Sequence, residues 1–144
     1  MVPRMDVAAE GSSTASSAEP DPLTVLVVDD ERSVVEGVSE LLEGAGYGVA
    51  TAMDSVEALE QLGRGLRPCL IVLDLMMPRM DGWDFRYEQL KLDDLKDIPV
   101  VVLTAAGFSE ASVKAQFGAV DFLSKPFAPE TLLHVIRQSC RQAT

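Results

Sequence analysis

The chain has one histidine, one tryptophan and two cysteines. Nowhere does an apolar run approach the ~20 residues that a membrane-spanning helix needs. Its opening residues lack the basic, apolar and small-residue order of a secretory signal. A cytoplasmic location is the expectation. Basic residues are scarce: 12 Lys and Arg, scattered singly, stand against 23 Asp and Glu, for a net charge of −11. Such a surface repels the phosphates of nucleic acid and of acidic membranes, so neither is expected as a partner. Cys69 and Cys140 are too few and too far apart to suggest a disulfide framework. Cys69 opens an apolar run and Cys140 falls in the apolar stripe of the last predicted helix. Both read as buried small hydrophobes with no metal or redox role. His134 sits beside that same stripe and reads as structural or solvated. Met76, Met77 and Met80 fill a loop and make no metal-binding methionine box.

What is present is patterned. At 144 residues the chain has room for one sizeable core. Residues 1–22 are Ala, Ser, Glu and Pro without hydrophobic period, and a disordered tail is expected there. From Leu23 onward, short β-branched runs alternate with longer amphipathic ones, the pattern of βαβ units and a parallel sheet. The strand runs are 24–29 (TVLVVD), 48–52 (GVATA), 69–74 (CLIVLD), 99–104 (PVVVLT) and 120–124 (VDFLS). Three of them are apolar on both faces, as strands covered by helices on each side must be. The first helix carries Val34, Val38, Leu41, Leu42 and Ala45 on one face and stops at Gly44 to Gly46. The second opens on Asp54-Ser-Val-Glu57, close to a capping box with Asp as the cap. A third follows Asp81-Gly82, a short fourth spans about 109–117, and a fifth begins at Pro129. Five βα units make a doubly wound α/β fold, a three-layer sandwich around a five-stranded parallel sheet.

In such sheets ligands bind outside the carboxyl ends of the strands. The first strand ends in Asp29-Asp30, the third in Asp74, the fourth in Thr104, and the fifth in Ser124-Lys125. Each alone is commonplace, because Asp after a strand is often a cap or turn former. Placed together at one edge, three acids, a hydroxyl and an ammonium form a constellation. Clustered carboxylates resist joint ionisation unless a cation neutralises them. Oxygen-only ligands with room for water suit Mg2+, and a fixed ammonium opposite would complete a site for accepting a phosphoryl group.

The runs VVDDE (27–31), LIVLDLMMPRMDG (70–82), VVLTA (101–105) and DFLSKPF (121–127) resemble, in order, the signature of response-regulator receiver domains. The resemblance extends from Leu23 to about Arg141 and assigns 23–144 to the receiver. It implies a flavodoxin-like (βα)5 sandwich with strand order 2-1-3-4-5. By the same resemblance Asp74 is the phosphoacceptor, and Asp30, Asp74 and the backbone carbonyl of Met76 bind Mg2+ while Asp29 holds metal-bound water. Thr104 would bond the phosphoryl oxygens and Lys125 would pair with Asp74 and then the phosphate. Pro78 and Gly82 would shape the loop after the acceptor, and Lys125–Pro126 would be a cis peptide. Thr104 and Phe122 would form the switch, Phe122 turning inward as Thr104 moves. Trp83 reads as core near the pocket. The expected partners are a sensor histidine kinase or histidine phosphotransfer protein and a downstream protein target. The domain would catalyse only its own Mg2+-dependent phosphorylation and dephosphorylation.

One departure from the family pattern stands out. The stretch from Thr104 to Lys125 is about one residue short, near the end of the fourth helix. Apolar Met76 and short Ala106 cannot position a water, so a slowly hydrolysing phosphoryl form is expected. A stand-alone regulator acting through protein contacts is the expectation, with a fragment of a longer regulator or hybrid kinase as the alternative. A flavodoxin-like electron carrier would share the sheet, yet Asp29-Asp-Glu31 would repel the flavin phosphate. A phosphatase using an aspartyl nucleophile would need an Asp-x-Asp pair, which Asp29-Asp30 is not.

Overall fold

The computed structural model describes residues 24–75, 81–104, 111, 113, 115 and 121–140. Five parallel strands form one sheet: β1 Thr24–Val28, β2 Gly48–Ala52, β3 Leu70–Asp74, β4 Val100–Thr104 and β5 Asp121–Ser124. Their order is β2-β1-β3-β4-β5, the doubly wound topology expected. Cys69 and Pro99 precede their strands rather than open them, and Asp29 lies one residue beyond β1. Such one-residue differences are ordinary, because strand ends fray where pairing stops.

Alternation along each strand divides the core in two. Leu26, Val28, Ile71, Leu73, Val100 and Val102 face one side of the sheet. There they meet Ala58 and Leu62 of helix α2 (Ser55–Gly63) and Phe85 of helix α3 (Gly82–Leu90). Val25, Val27, Leu70, Val72, Val101 and Leu103 face the other. They meet Val35, Val38 and Leu42 of helix α1 (Arg32–Gly44), and Leu132 and Ile136 of the last helix, Pro129–Ser139. Period-two side chains buried on both faces explain the uninterrupted apolar runs in β1, β3 and β4.

Helix limits follow local chemistry. Asp54 caps α2, its Oδ1 accepting the Glu57 N–H at 2.9 Å. Glu57 Oε1 reaches back to the Met53 N–H at 2.8 Å, one residue before the cap. Asp81 caps α3 by accepting the Asp84 N–H at 3.0 Å. Pro129 occupies the first turn of the last helix, where its missing N–H costs nothing. After α1 the chain turns at Gly46, whose φ of +97° is a left-handed value that glycine adopts without strain. Of the first predicted apolar face, Val38 and Leu42 are buried. Val34, Leu41 and Ala45 pack at its margin, and Val35 is buried in place of Val34.

Within the expected fourth helix, Ala111, Val113 and Ala115 are helical, and Val113 is buried on the α2–α3 side. The expected tail at 1–22, the shortfall near that helix's end, and Met76, Pro78 and Ala106 lie outside the described residues. His134 is exposed, and Trp83 packs against the α2–α3 core.

The reading of the cysteines is corrected in one respect. Cys69 and Cys140 are buried, but they are joined in a disulfide, with Cα atoms 5.3 Å apart. Distance along the chain misled, because the last helix returns across the sheet to lie beside the start of β3.

One buried polar group stabilises the α2–α3 side. Gln89 is fully buried at the end of α3, and its Nε2 donates to the carbonyls of Leu95 (2.8 Å) and Ile98 (3.0 Å). Its Oε1 accepts from Arg86 at 2.9 Å. These bonds tie the turn that leads into β4. Gln89→Leu keeps the volume but removes the donors, and we expect a loss of about 2 kcal/mol in urea unfolding.

Candidate functional site

β1 and β3 are parallel neighbours with Val28 in register with Leu73, so both chains leave the sheet at the same edge. Asp29 follows β1 and Asp74 ends β3. Oxygen atoms of Asp29, Asp30 and Asp74 all lie within 4.8 Å of one another. Asp29 is fully buried, Asp74 is nearly so, and Asp30 is exposed. The Asp29 backbone N–H extends the β1–β2 ladder to the Ala52 carbonyl at 3.2 Å, which fixes where its side chain emerges. Asp29 Oδ1 accepts the Glu31 N–H at 2.9 Å, a turn that holds the carboxylate against the start of α1.

Lys125, just past β5, enters from the opposite side. Its Nζ lies 2.8 Å from Asp29 Oδ2, 3.0 Å from Glu31 Oε1 and 3.7 Å from Asp74 Oδ2. The Lys125–Pro126 peptide is cis. Burial by itself lowers the Lys125 pKa. The carboxylates of Asp29 and Glu31, and then Asp74, outweigh it and leave the ammonium above its ordinary value. Stability gained from this raised pKa is complete below the ordinary lysine pKa and is lost only as pH rises through the folded value. Throughout the neutral range Lys125 is therefore charged.

Among the described residues, Asp29, Asp30, Glu31 and Asp74 with the one ammonium of Lys125 leave three formal negative charges at this edge. Asp29 Oδ2 is buried, and among the described residues the Lys125 ammonium, 2.8 Å away, is what meets its charge. All donors are oxygen. An excess of negative charge, hard ligands and one exposed carboxylate with access to water fit a hard divalent cation.

Gly82 brings α3 against this edge. A Cβ there would sit 2.7 Å from the backbone oxygen of Asp74 and 2.8 Å from Leu75 Cα, so no side chain fits without moving the backbone. Its N–H donates to the Leu75 carbonyl at 2.9 Å, closing the connection from β3 back onto the strand. The Ser55 hydroxyl donates to the Asp81 carbonyl at 3.3 Å and fixes the same turn to α2.

Of the residues singled out in the sequence, Asp29, Asp30, Asp74 and Lys125 come together. Thr104 ends β4 in register with Ser124, at the same edge. Phe122 pairs with Val102 and is half-buried against the α2–α3 core. Met76 lies outside the described residues. Glu31 as a partner of Lys125 was not foreseen. Its place directly after the acidic pair was visible, but the return of Lys125 across 94 residues was not.

The sequence matches the family described as response regulator receiver domain over residues 25–137. It is 42% identical over 124 residues to the response regulator MprA of Mycobacterium sp. (strain KMS), covering 85% of this chain and 53% of that protein. The chain thus spans about half the length of the curated relatives it matches. Among solved structures it is similar to the chemotaxis protein CheY4 of Vibrio cholerae. That likeness has 36% identity and a TM-score of 0.73, covering 81% of this chain and 97% of that one. It is also similar to the signal receiver domain of a signal transduction histidine kinase from Syntrophus aciditrophicus. Here identity is 30% and the TM-score 0.74, covering 84% and 93%. Receivers are signalling switches rather than enzymes that turn over a separate substrate, which sets aside the electron-carrier and phosphatase readings. With the strand order, the acidic edge and the matched span in agreement, the chain belongs to the response regulator receiver domain family of two-component signalling.

Proposed function

We propose that this receiver accepts a phosphoryl group on Asp74 from a sensor histidine kinase or a histidine phosphotransfer protein, in a Mg2+-dependent reaction in the cytoplasm. The observation that carries this reading is the grouping of Asp29, Asp30 and Asp74 within 4.8 Å, with the Lys125 ammonium 3.7 Å from Asp74. Among the described residues no helix is long and apolar enough to cross a membrane.

An Asp74 carboxylate oxygen attacks phosphorus in line with the P–N bond of the donor's phosphohistidine. That bond breaks, the imidazole leaves, and an acyl phosphate remains on Asp74. Asp30, Asp74 and the Met76 carbonyl would hold Mg2+, with Asp29 bonding its water, and the bound ion supplies positive charge toward the phosphoryl oxygens. Lys125, already drawn between Asp29 and Asp74, neutralises charge on the other side. The Thr104 hydroxyl bonds a phosphoryl oxygen. Phe122 then turns further into the core, and the surface around β5 and the last helix changes its affinity for a downstream protein. An apolar groove of about 880 Å3 between α1 and the last helix opens beside Lys125. Val34, Leu41 and Phe127 line it, and it suits the docking of a phosphodonor helix within reach of Asp74.

Incubation with acetyl phosphate and Mg2+ should add the mass of one phosphoryl group to the protein, and Asp74→Asn or EDTA should abolish the gain. An equal adduct in either control would refute the assignment.

Phe122→Ala tests the switch. Because Phe122 is only half-buried, we expect a cost of about 2 kcal/mol, below the ~3–5 of a fully buried Phe. Phosphorylation should proceed as in the parent. Phosphorylation-induced changes in amide exchange across β5 and the last helix should shrink. If those changes persist at parental size in the folded variant, Phe122 is not the coupling residue.

A further inference from the structure

The disulfide is a reactive group that phosphoryl transfer does not use. Cys69 directly precedes β3, and Cys140 caps the last helix. Their Cα atoms lie 5.3 Å apart, a span that a disulfide bridges without backbone movement, and the link joins positions 71 residues apart. Both lie in the core shared by α1, the last helix and the sheet, Cys140 fully buried and Cys69 8% exposed. The Cys69 N–H donates to the Thr24 carbonyl at 2.8 Å, which places the link at the edge where β1 and β3 begin. Asp74 is at the opposite end of β3, roughly 16 Å away along the strand. The bond therefore fastens the last helix to the sheet without touching the acidic edge.

In a reducing compartment, which rests on the function proposed above, a protein disulfide in an ordinary organism is transient and redox-sensing rather than permanent. The structure also supplies a route of access. Cys140 is held as a cap by its N–H bond to the Ile136 carbonyl at 2.7 Å, and helix ends open locally at small free-energy cost. Opening of that one turn would bring the Cys140 sulfur toward solvent.

We propose that Cys69 and Cys140 are a redox-active pair, a second covalent input that fastens the last helix when oxidised and releases its end when reduced. In reduction a small thiolate such as glutathione attacks one sulfur of the pair, the S–S bond breaks, and the released cysteine thiolate takes up a proton. A second glutathione attacks the mixed disulfide and frees the other cysteine, so two electrons enter the protein and glutathione disulfide leaves. Oxidation is the reverse, with glutathione disulfide as the acceptor.

The test uses the full chain equilibrated in stepped ratios of reduced to oxidised glutathione, approached from both directions. Maleimide quenching and intact mass then count reactive thiols. Species with no adduct and with two adducts should interchange along one curve from either direction. The oxidised form should melt roughly 10 °C higher than the reduced form. Amide exchange over residues 132–140 should be faster after reduction, and the Tm of Cys140→Ala should not respond to reductant. No adducts at any ratio would mean a permanent staple, and two at every ratio would mean no bond; either overturns the proposal. None of these readouts uses phosphorylation, so failure at Asp74 and failure here remain distinguishable.

Discussion

Lys125 is the cation around which this structure is arranged. Its ammonium meets carboxylates from three places in the chain: Asp29 after β1, Glu31 before α1 and Asp74 at the end of β3. Without it, two buried acids side by side would repel each other in surroundings that screen charge poorly. The sheet can end in acids because β5, four strands from β2, delivers a positive charge to the same edge. One ammonium does not balance the described carboxylates, and an oxygen-only cluster with that excess of negative charge fits a hard divalent cation. Removing Lys125 would leave the buried Asp29 carboxylate without the ion pair that meets its charge, so the residue bears on stability.

That edge is precise because the scaffold beneath it is not free to adjust. Each inner strand is covered on both sides, so a shift of register in β1 or β3 would exchange the two core faces. Asp29 and Asp74 are thus held level by packing several residues away. Gly82 adds a steric condition, since α3 starts against the Asp74 backbone with no space for a Cβ. The α2–α3 side is held by apolar contact and by Gln89, whose amide satisfies two carbonyls of the turn before β4. The α1 side carries a covalent link instead, between the start of β3 and the end of the last helix. The acidic group and the disulfide therefore lie at opposite ends of one strand.

Much of this was legible in residue order. Periodicity separated strands from helices, and Asp54, Asp81 and Pro129 marked helix starts because capping is a local interaction between near neighbours. The edge residues Asp29, Asp30, Asp74 and Lys125 could be grouped because parallel strands must all end on one side. Glu31 was harder. It stands in an exposed loop position where an acid has no local reason to be singled out, and its partner is 94 residues away. The cysteines were misread as unpaired for a related reason. Spacing along the chain carries no information on which helix returns to which strand end.

The sequence by itself determined the α/β class, the alternation of elements, the helix caps and the acidic residues that end the strands, because these depend on neighbours within a few positions or on the handedness and direction of parallel sheets. Only the tertiary structure decided that Glu31 shares Lys125, that Gly82 must lack a side chain, that Gln89 satisfies buried carbonyls and that Cys69 meets Cys140. Each of these is a contact between segments whose approach is set by packing of whole layers, and no local pattern of residues encodes that distance.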